Sequence, residues 1–162
     1  MYSAGSGNTA CTDCAEGTFA SSTAQAICTD AQEGYYASIG GTAAVSAATG
    51  ETEVSAGYYA CNSAETVLDG TGVTTLASGE CACPAGMYSA GSGNAACTAC
   101  EEGKYQGSTG TTECTAAQQG YYASIGGTAA VSAATGETEV SAGYYACDSS
   151  ETVLDGLSLI HI

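Results

Sequence analysis

The sequence predicts a small disulfide-rich fold, mostly β and irregular, built as an elongated tandem array. Its hairpin-like modules are about 17 residues long and lie within an 86-residue repeat. Three observations predict this class: ten cysteines and 23 glycines in 162 residues, a shortage of large apolar side chains, and repetition at two scales.

The chain has too few large apolar residues for a conventional core. Leu, Ile, Val and Phe supply 18 of 162 residues, well below the roughly 20% under which a charged chain tends toward disorder. Small modules with thin cores are usually held by disulfides, and one that closes a 15-residue loop contributes about 3 kcal/mol. Because disulfides persist in oxidising compartments, we expect a secreted protein or one on the extracellular face of the cell surface.

The charge balance excludes several classes of partner. The formal net charge is −16, and Lys104 is the one Lys or Arg in the chain, which also has a single His. Nucleic-acid binding needs cations that neutralise phosphates, and docking on anionic membranes needs basic clusters. We therefore expect no nucleic-acid partner and no membrane contact within this segment.

The larger repeat has a period of 86 residues. Residues 1–70 recur as 87–156, and the segments 31–70 and 117–156 differ at three positions only. Near-identity of neighbouring units is typical of repeat proteins, in which each unit contacts its neighbours along the chain.

A shorter period of 17 residues lies inside this unit. The segments from Cys83 and Cys100 read CPAGMYSAGSGNAACTA and CEEGKYQGSTGTTECTA, with a second cysteine 14 positions after the first. The next segment has lost both cysteines together, to Ala117 and Val131. Losing one partner would leave a free thiol, so the joint loss indicates that the two positions bond to each other. The pattern predicts the disulfides Cys14–Cys28, Cys83–Cys97 and Cys100–Cys114.

The other cysteines suggest one more bond and a fragment. Cys61 and Cys81 are left over within one unit and are expected to pair. Cys11 would need a partner before Met1, and Cys147 would need one beyond the end of the chain, so both are expected to be unpaired by truncation. Met1 also aligns with the internal Met87.

The repeat pattern sets the expected domain boundaries. We expect a truncated first repeat unit at 1–82 and a second unit at 83–156, with cysteine-rich modules at 83–116 and a cysteine-poor part at 117–156. The repeat stops after residue 156, and 157–162 reads LSLIHI. This hexapeptide matches one reading frame of the mosaic-end adapter of transposase-based sequencing libraries, so we interpret it as an artefact.

A glycine followed two positions later by an aromatic residue recurs through the chain. Such a glycine suits a turn, and the aromatic residue shares its face in an extended stretch, where it can cover a disulfide. Where the cysteines are missing, the segments carry Ile39 or Ile125 and a pair of tyrosines (35–36 or 121–122), and we expect an apolar contact to replace the bond. We also expect a turn at Gly50 and a strand over 52–59. A β-solenoid is the rival architecture, but glycine spacings of 17, 23 and 29 are too uneven for it.

The segment from Cys83 to Tyr105 carries the pattern C-P-A-G-x-Y-S-x-G-S-x-x-x-x-C-x-x-C-x-x-G-x-Y. It resembles the ephrin-receptor-like cysteine-rich repeat, related in style to modules of growth-factor and tumour-necrosis-factor receptors. The resemblance covers 83–116 and 1–30, and it implies the same Cys83–Cys97 and Cys100–Cys114 pairing. Large surface proteins of unicellular eukaryotes carry long arrays of similar modules. Function inferred from the resemblance is an analogy at the level of the fold.

The candidate chemical sites are few. Cys11-x-x-Cys14 and Cys97-x-x-Cys100 could each be half of a zinc site, but the two pairs lie one repeat apart, which favours disulfides. We expect no catalytic residues, because one Lys and one His near the artefact-like tail supply no nucleophile–base pair. No cofactor is expected. Calcium is an alternative at the repeated acidic pairs Glu51/Glu53 and Glu137/Glu139, for which solvation is the simpler interpretation.

These observations predict a structural or adhesive segment of a larger secreted or cell-surface protein. Its expected partners are neighbouring repeats of the same chain, and other extracellular proteins or glycans. The alternative is the ligand-binding ectodomain of a receptor, for which Lys104 is the one feature that breaks the repeat symmetry. An extracellular enzyme is a distant third.

Overall fold

The computed structural model describes residues 1–2, 10–64 and 69–147, together with the backbone of 160–161. Across these residues the chain forms short β-strands and turns and contains no helix. No helix in this part of the chain is therefore long and apolar enough to cross a membrane. Of the artefact-like tail, 157–159 and 162 lie outside the described residues.

The strands are two to five residues long, which fits a chain in which glycine, serine and threonine interrupt every apolar stretch. In chain order they are β1 (Thr18–Phe19), β2 (Thr29–Asp30), β3 (Tyr35–Ile39), β4 (Thr42–Ala43), β5 (Gly50–Glu53), β6 (Tyr58–Cys61), β7 (Gly79–Ala82), β8 (Met87–Tyr88), β9 (Thr98–Ala99), β10 (Lys104–Tyr105), β11 (Thr115–Ala116), β12 (Tyr121–Ile125), β13 (Thr128–Ala129), β14 (Gly136–Glu139), β15 (Ala146–Cys147) and β16 (Ile160–His161).

The strands pair locally into small sheets. Strands β1–β2, β8–β9, β10–β11 and β6–β7 form antiparallel pairs, while β15–β16 is a parallel pair. Each cysteine-free segment forms a three-stranded sheet, ordered β4–β3–β5 in the first copy and β13–β12–β14 in the second. Since two-stranded units are marginal alone, stability must come from contacts between sheets and from the disulfides.

The small hairpins share one register. An aromatic residue lies opposite a threonine in each: Phe19 opposite Thr29, Tyr88 opposite Thr98, and Tyr105 opposite Thr115. The bridge between Tyr2 and Thr12 repeats this pair at the start of the chain.

The core is thin and consists mainly of alanine, cysteine and tyrosine. Val54 and Tyr59 are the largest side chains with no exposed surface among the described residues. One cluster joins Tyr36, Val54, Ala60 and Ala77. A second gathers Tyr59 with cysteines of two disulfides.

Two predictions for residues 50–59 were wrong. Gly50 lies inside β5, paired with Ser38, and does not form a turn. The expected strand over 52–59 is divided into β5 and β6, because a turn closed by the Tyr58 N–H and the Ser55 carbonyl separates them. Gly57 makes this turn with a φ of 85°.

Candidate functional site: the linked glycine turns

A six-residue turn motif recurs seven times and organises the fold. We call it the frame; its fourth residue is the glycine and its sixth is aromatic. The frames begin at Cys14, Ala31, Val54, Cys83, Cys100, Ala117 and Val140. In every frame the N–H of the fifth residue donates to the carbonyl of the second, as from Thr18 to Ala15 at 3.1 Å. All seven glycines have φ between 72° and 88°, the conformation that a type II turn requires at its third residue.

Every frame is hydrogen-bonded to the next by the same contact. The carbonyl of the frame glycine accepts a hydrogen bond from the N–H of the first residue of the following frame. The six contacts are Ala31–Gly17 (2.9 Å), Val54–Gly34 (2.9 Å), Cys83–Gly57 (3.0 Å), Cys100–Gly86 (2.8 Å), Ala117–Gly103 (2.8 Å) and Val140–Gly120 (2.8 Å). The intervals between frames range from 17 to 29 residues, yet the contact is the same.

A second contact reaches two frames along the chain. The loop that follows a frame contains a residue with left-handed backbone, and this residue packs against the glycine of the frame two places earlier. A Cβ on that glycine would overlap its backbone. The pairs are Gly17 with Leu76, Gly34 with Gly93, Gly57 with Gly110, and Gly86 with Ala133. These glycines are therefore needed for close approach as well as for the turn.

Three of these left-handed residues also bind the intervening frame. Gly93 donates its N–H to the Val54 carbonyl at 2.8 Å, and Gly110 donates to the Cys83 carbonyl at 2.8 Å. Ala133 donates to the Cys100 carbonyl at 2.9 Å. These three loops thus each contact two preceding frames through their backbone, with little dependence on side-chain type.

The structure brings eight of the predicted site cysteines together in four disulfides. Three of them, Cys14–Cys28, Cys83–Cys97 and Cys100–Cys114, join positions 14 residues apart, and Cys61–Cys81 joins positions 20 apart. Cys11 is exposed and takes part in none of the four, whereas Cys147 is buried in β15. Neither Cys-x-x-Cys pair is bonded internally.

The disulfides lie at the contacts between frames. Cys14, Cys83 and Cys100 each begin a frame and are fully buried. Tyr59 packs against Cys83 and Cys61, so one aromatic ring covers cysteines of two bonds. At Tyr59 this arrangement fits the expectation that a frame aromatic covers a disulfide.

The cysteine-free segments are held differently from the prediction. Ile39 and Ile125 are 49% and 50% exposed and do not take the place of the missing bond, whereas Tyr36 of the tyrosine pair is buried in the cluster with Val54. An additional strand, β5 or β14, also pairs along the segment. The buried Ser38 hydroxyl bonds the Thr52 hydroxyl at 2.7 Å across this pair, and Ser124 bonds Thr138 at 2.8 Å. Strand pairing with a polar cross-strand pair therefore holds each segment where the disulfide is missing.

One acidic side chain connects distant parts of the first copy. The Glu16 carboxylate accepts hydrogen bonds from the backbone and hydroxyl of Ser63 and from the hydroxyl of Ser78. These hydrogen bonds, with the Ser63 hydroxyl as the largest cause, lower the pKa of Glu16 below its ordinary value. The sequence offered no signal for this contact, because the partners lie 47 and 62 residues away.

One member of each acidic pair suggested for calcium is hydrogen-bonded within the fold. Glu51 accepts hydrogen bonds from the backbone and side-chain nitrogens of Gln32 at 2.9 and 2.7 Å. Glu137 receives the same two bonds from Gln118. Across the described ranges no three His, Cys, Asp or Glu side chains converge as a metal site would require. The Lys104 ammonium lies 3.3 Å from the Glu101 carboxylate, with both side chains largely exposed.

No protein-family model and no curated protein matches this chain.

Proposed function

We propose that the chain is a structural or adhesive extracellular segment of a larger secreted or cell-surface protein, serving as spacer, coat or display surface. Its frames would form an elongated tandem array within the 86-residue unit. The observation that carries the proposal is the backbone contact between consecutive frames, repeated six times with donor–acceptor distances of 2.8 to 3.0 Å.

The contact tolerates different residues, which suits an array that functions through its length. Its donor is Cys83 in one step, Ala31 in another and Val54 in a third. Because backbone groups carry it, units can be added or can diverge without loss of the connection. Repeats of this kind supply extended surface and multivalent display.

The surface area supports an extended shape. The accessible surface is 8720 Å² for 15.8 kDa, against about 7,300 Å² for a compact monomer of that mass. An array in which small sheets lie beside their sequence neighbours, without a common core, would expose more surface than a compact monomer.

The cysteine content supports an extracellular location. Four disulfides among ten cysteines are typical of proteins that fold in an oxidising compartment. A net charge of −16 with almost no cations keeps such a surface soluble and repels anionic surfaces. The receptor alternative gains no support at Lys104, which is engaged by Glu101.

Small-angle X-ray scattering of the oxidised chain tests the array. A compact 162-residue monomer would have a radius of gyration of about 15 Å, and an unfolded one about 42 Å. We expect an intermediate value with an asymmetric distance distribution, and unfolding on reduction. A value near 15 Å would overturn the elongated array.

Antibody labelling of the cells that make the protein tests its location. Antibodies raised against the folded chain should label intact cells or bind protein in the medium. Labelling that requires permeabilised cells would contradict an extracellular function.

A further inference from the structure

A hydroxyl residue precedes the left-handed residue in each of the six described loops that follow a frame. The left-handed residues at this position are Ala24, Ala47, Leu76, Gly93, Gly110 and Ala133. The residues before them are Thr23, Ser46, Thr75, Ser92, Thr109 and Ser132. We call these six the loop hydroxyls. Their own neighbours in the sequence differ in size and polarity from loop to loop, so the hydroxyl is the constant side chain of the loop.

All six loop hydroxyls belong to residues that are exposed to solvent. The exposure does not depend on where the sequence starts or stops. Ser46, Thr75, Ser92 and Thr109 each have a loop of the same kind before and after them along the chain, and they are exposed all the same. Contacts between neighbouring frames therefore leave this position uncovered.

The fold does not use these hydroxyls. Serine and threonine favour turns because their hydroxyl bonds a nearby backbone group, yet none of the six makes a side-chain hydrogen bond within the described part of the chain. The next residue holds the loop through its backbone instead. Ala47 donates its N–H to the Cys14 carbonyl at 2.9 Å, and Gly93 donates to the Val54 carbonyl at 2.8 Å. The loop is fixed, and its hydroxyl is left to an outside partner.

The surroundings of the loop hydroxyls favour a neutral group over a charged one. No acidic or basic residue lies within two positions of any of the six, although the chain has 17 acidic residues. Protein kinases select their substrates by charge patterns, which are missing here. None of the three asparagines has serine or threonine two positions later, so the chain offers no acceptor for an N-linked glycan.

We propose that the loop hydroxyls are sites of O-linked glycosylation, one in each loop, added by a transferase that recognises the folded loop. The inference rests on the proposed extracellular function, because the sugar would be added along the secretory route, and it names what the surface displays. Each loop holds the same relation to its frames, so the sugars would recur at equivalent places and give multivalent display.

The modification is a substitution at the anomeric carbon of an activated sugar. The co-reactant is a sugar carried on a nucleotide or polyprenyl phosphate. The hydroxyl oxygen forms a bond to the anomeric carbon, and the bond from that carbon to the phosphate oxygen breaks. The phosphate group leaves with the electron pair, the hydroxyl proton passes to a base of the transferase, and nothing is oxidised or reduced.

Mass spectrometry of the protein purified from the cells that make it tests the site. Cleavage after glutamate and at Met87, followed by reduction, releases residues 88–101. This peptide holds three serines and threonines in three settings: Ser89 is 2% exposed, Ser92 is the loop hydroxyl, and Thr98 is exposed in β9. We expect a sugar mass on Ser92 and on neither of the other two, located by electron-transfer fragmentation.

Three variants made in the same cells separate the site from its surroundings. Ser92→Ala should remove the sugar mass from 88–101, and Ser92→Thr should keep it. Thr98→Ala is the matched control, because it removes an exposed hydroxyl from the same hairpin, and it should keep the sugar mass as well. Neither side chain makes a hydrogen bond within the described fold, so all three variants should form the same disulfides as the parent.

Four outcomes would overturn the inference. They are an unmodified Ser92 in protein recovered from the medium or the cell surface, a phosphate in place of the sugar, sugar on Thr98 to the same extent as on Ser92, and a sugar mass retained by Ser92→Ala. An unmodified Ser46, Thr75 or Thr109 would overturn the recurrence of the site. Each outcome concerns protein that is already extracellular, so the proposed function would stand. Labelling that requires permeabilised cells would overturn that function instead.

Discussion

The backbone of Ala133 packs directly against Gly86, at a point where a methyl group on the glycine would overlap the Ala133 carbonyl. The two residues lie two frames apart, and the same relationship joins Gly34 with Gly93. The frame glycine therefore has two separate roles, a left-handed turn and a close backbone contact, and the chain allows them to be separated.

Gly86→Ala should destabilise the chain more than Gly103→Ala. Both glycines have positive φ, 85° and 74°, but nothing lies within 4 Å of a Cβ built on Gly103. We expect the left-handed backbone conformation to lower the free energy of unfolding by about 1–2 kcal/mol in both variants. Overpacking against Ala133 should lower it by a further 1–3 kcal/mol, roughly, in Gly86→Ala. Urea unfolding would measure the difference in the free energy of unfolding. Equal losses would show that the Ala133 contact does not contribute.

Ala133→Gly should stabilise the chain. Ala133 has a φ of 52° at a position where the earlier hairpins have Gly93 and Gly110. Relief of the left-handed conformation should raise the free energy of unfolding by about 1–2 kcal/mol. The greater flexibility of glycine in the unfolded chain should lower it by about 0.4–1 kcal/mol. Thermal unfolding should show a higher midpoint for this variant and a lower one for the control Ala56→Gly, an exposed position without positive φ. A lower midpoint for Ala133→Gly would contradict the assigned backbone conformation.

Glu16 should make the stability depend on pH. Hydrogen bonds from Ser63 and Ser78 depress the pKa of Glu16 in the folded state. Its contribution is therefore present above the ordinary carboxyl pKa and is lost as the pH falls through the depressed value. Glu16→Gln should weaken the fall in urea midpoint between pH 6 and pH 3. A fall as steep in Glu16→Gln as in the parent would contradict the role of these hydrogen bonds.

Replacing the Cys100–Cys114 disulfide with the residues of the cysteine-free segment should lower the stability of the chain. Cys100→Ala with Cys114→Val copies the natural pair Ala117 and Val131. The double variant lacks the extra strand that supports the cysteine-free segments, so we expect a loss of about 3 kcal/mol, the value for a loop of this length. Differential scanning calorimetry would show it. An unchanged midpoint would mean that this disulfide does not stabilise the folded chain.

The sequence predicts that short strands form, but it does not predict the length of each strand. The sequence GYYAC forms a four-residue strand at β6, where β7 pairs with it, and a two-residue strand at β15. Identical residues give different strands because the pairing partner differs, and propensity yields to tertiary context. The cysteine-free sheets illustrate the same limit, since β5 pairs with β3 across a loop that the local pattern did not indicate.

The turn motif was visible in the sequence, whereas the contacts of its glycines were not. A glycine two positions before an aromatic residue signals a turn. The residue that packs against this glycine is Leu76, Gly93, Gly110 or Ala133. Because three residue types make the same contact, no residue type marks the position in the sequence. Backbone contacts of this kind depend on which loops the folded chain brings together, and the local sequence does not show this. The hydrogen bonds of Glu16 were hidden for the same reason.

Non-reducing peptide mapping tests the disulfide-stapled frames most directly. Cleavage after glutamate and then at Met87 separates Cys83, in 81–87, from Cys97 and Cys100, in 88–101. The account predicts that these two peptides stay joined to each other, and that 88–101 is also joined to the peptide containing Cys114, until the sample is reduced. A bond between Cys97 and Cys100, which would release 88–101 without reduction, would contradict it.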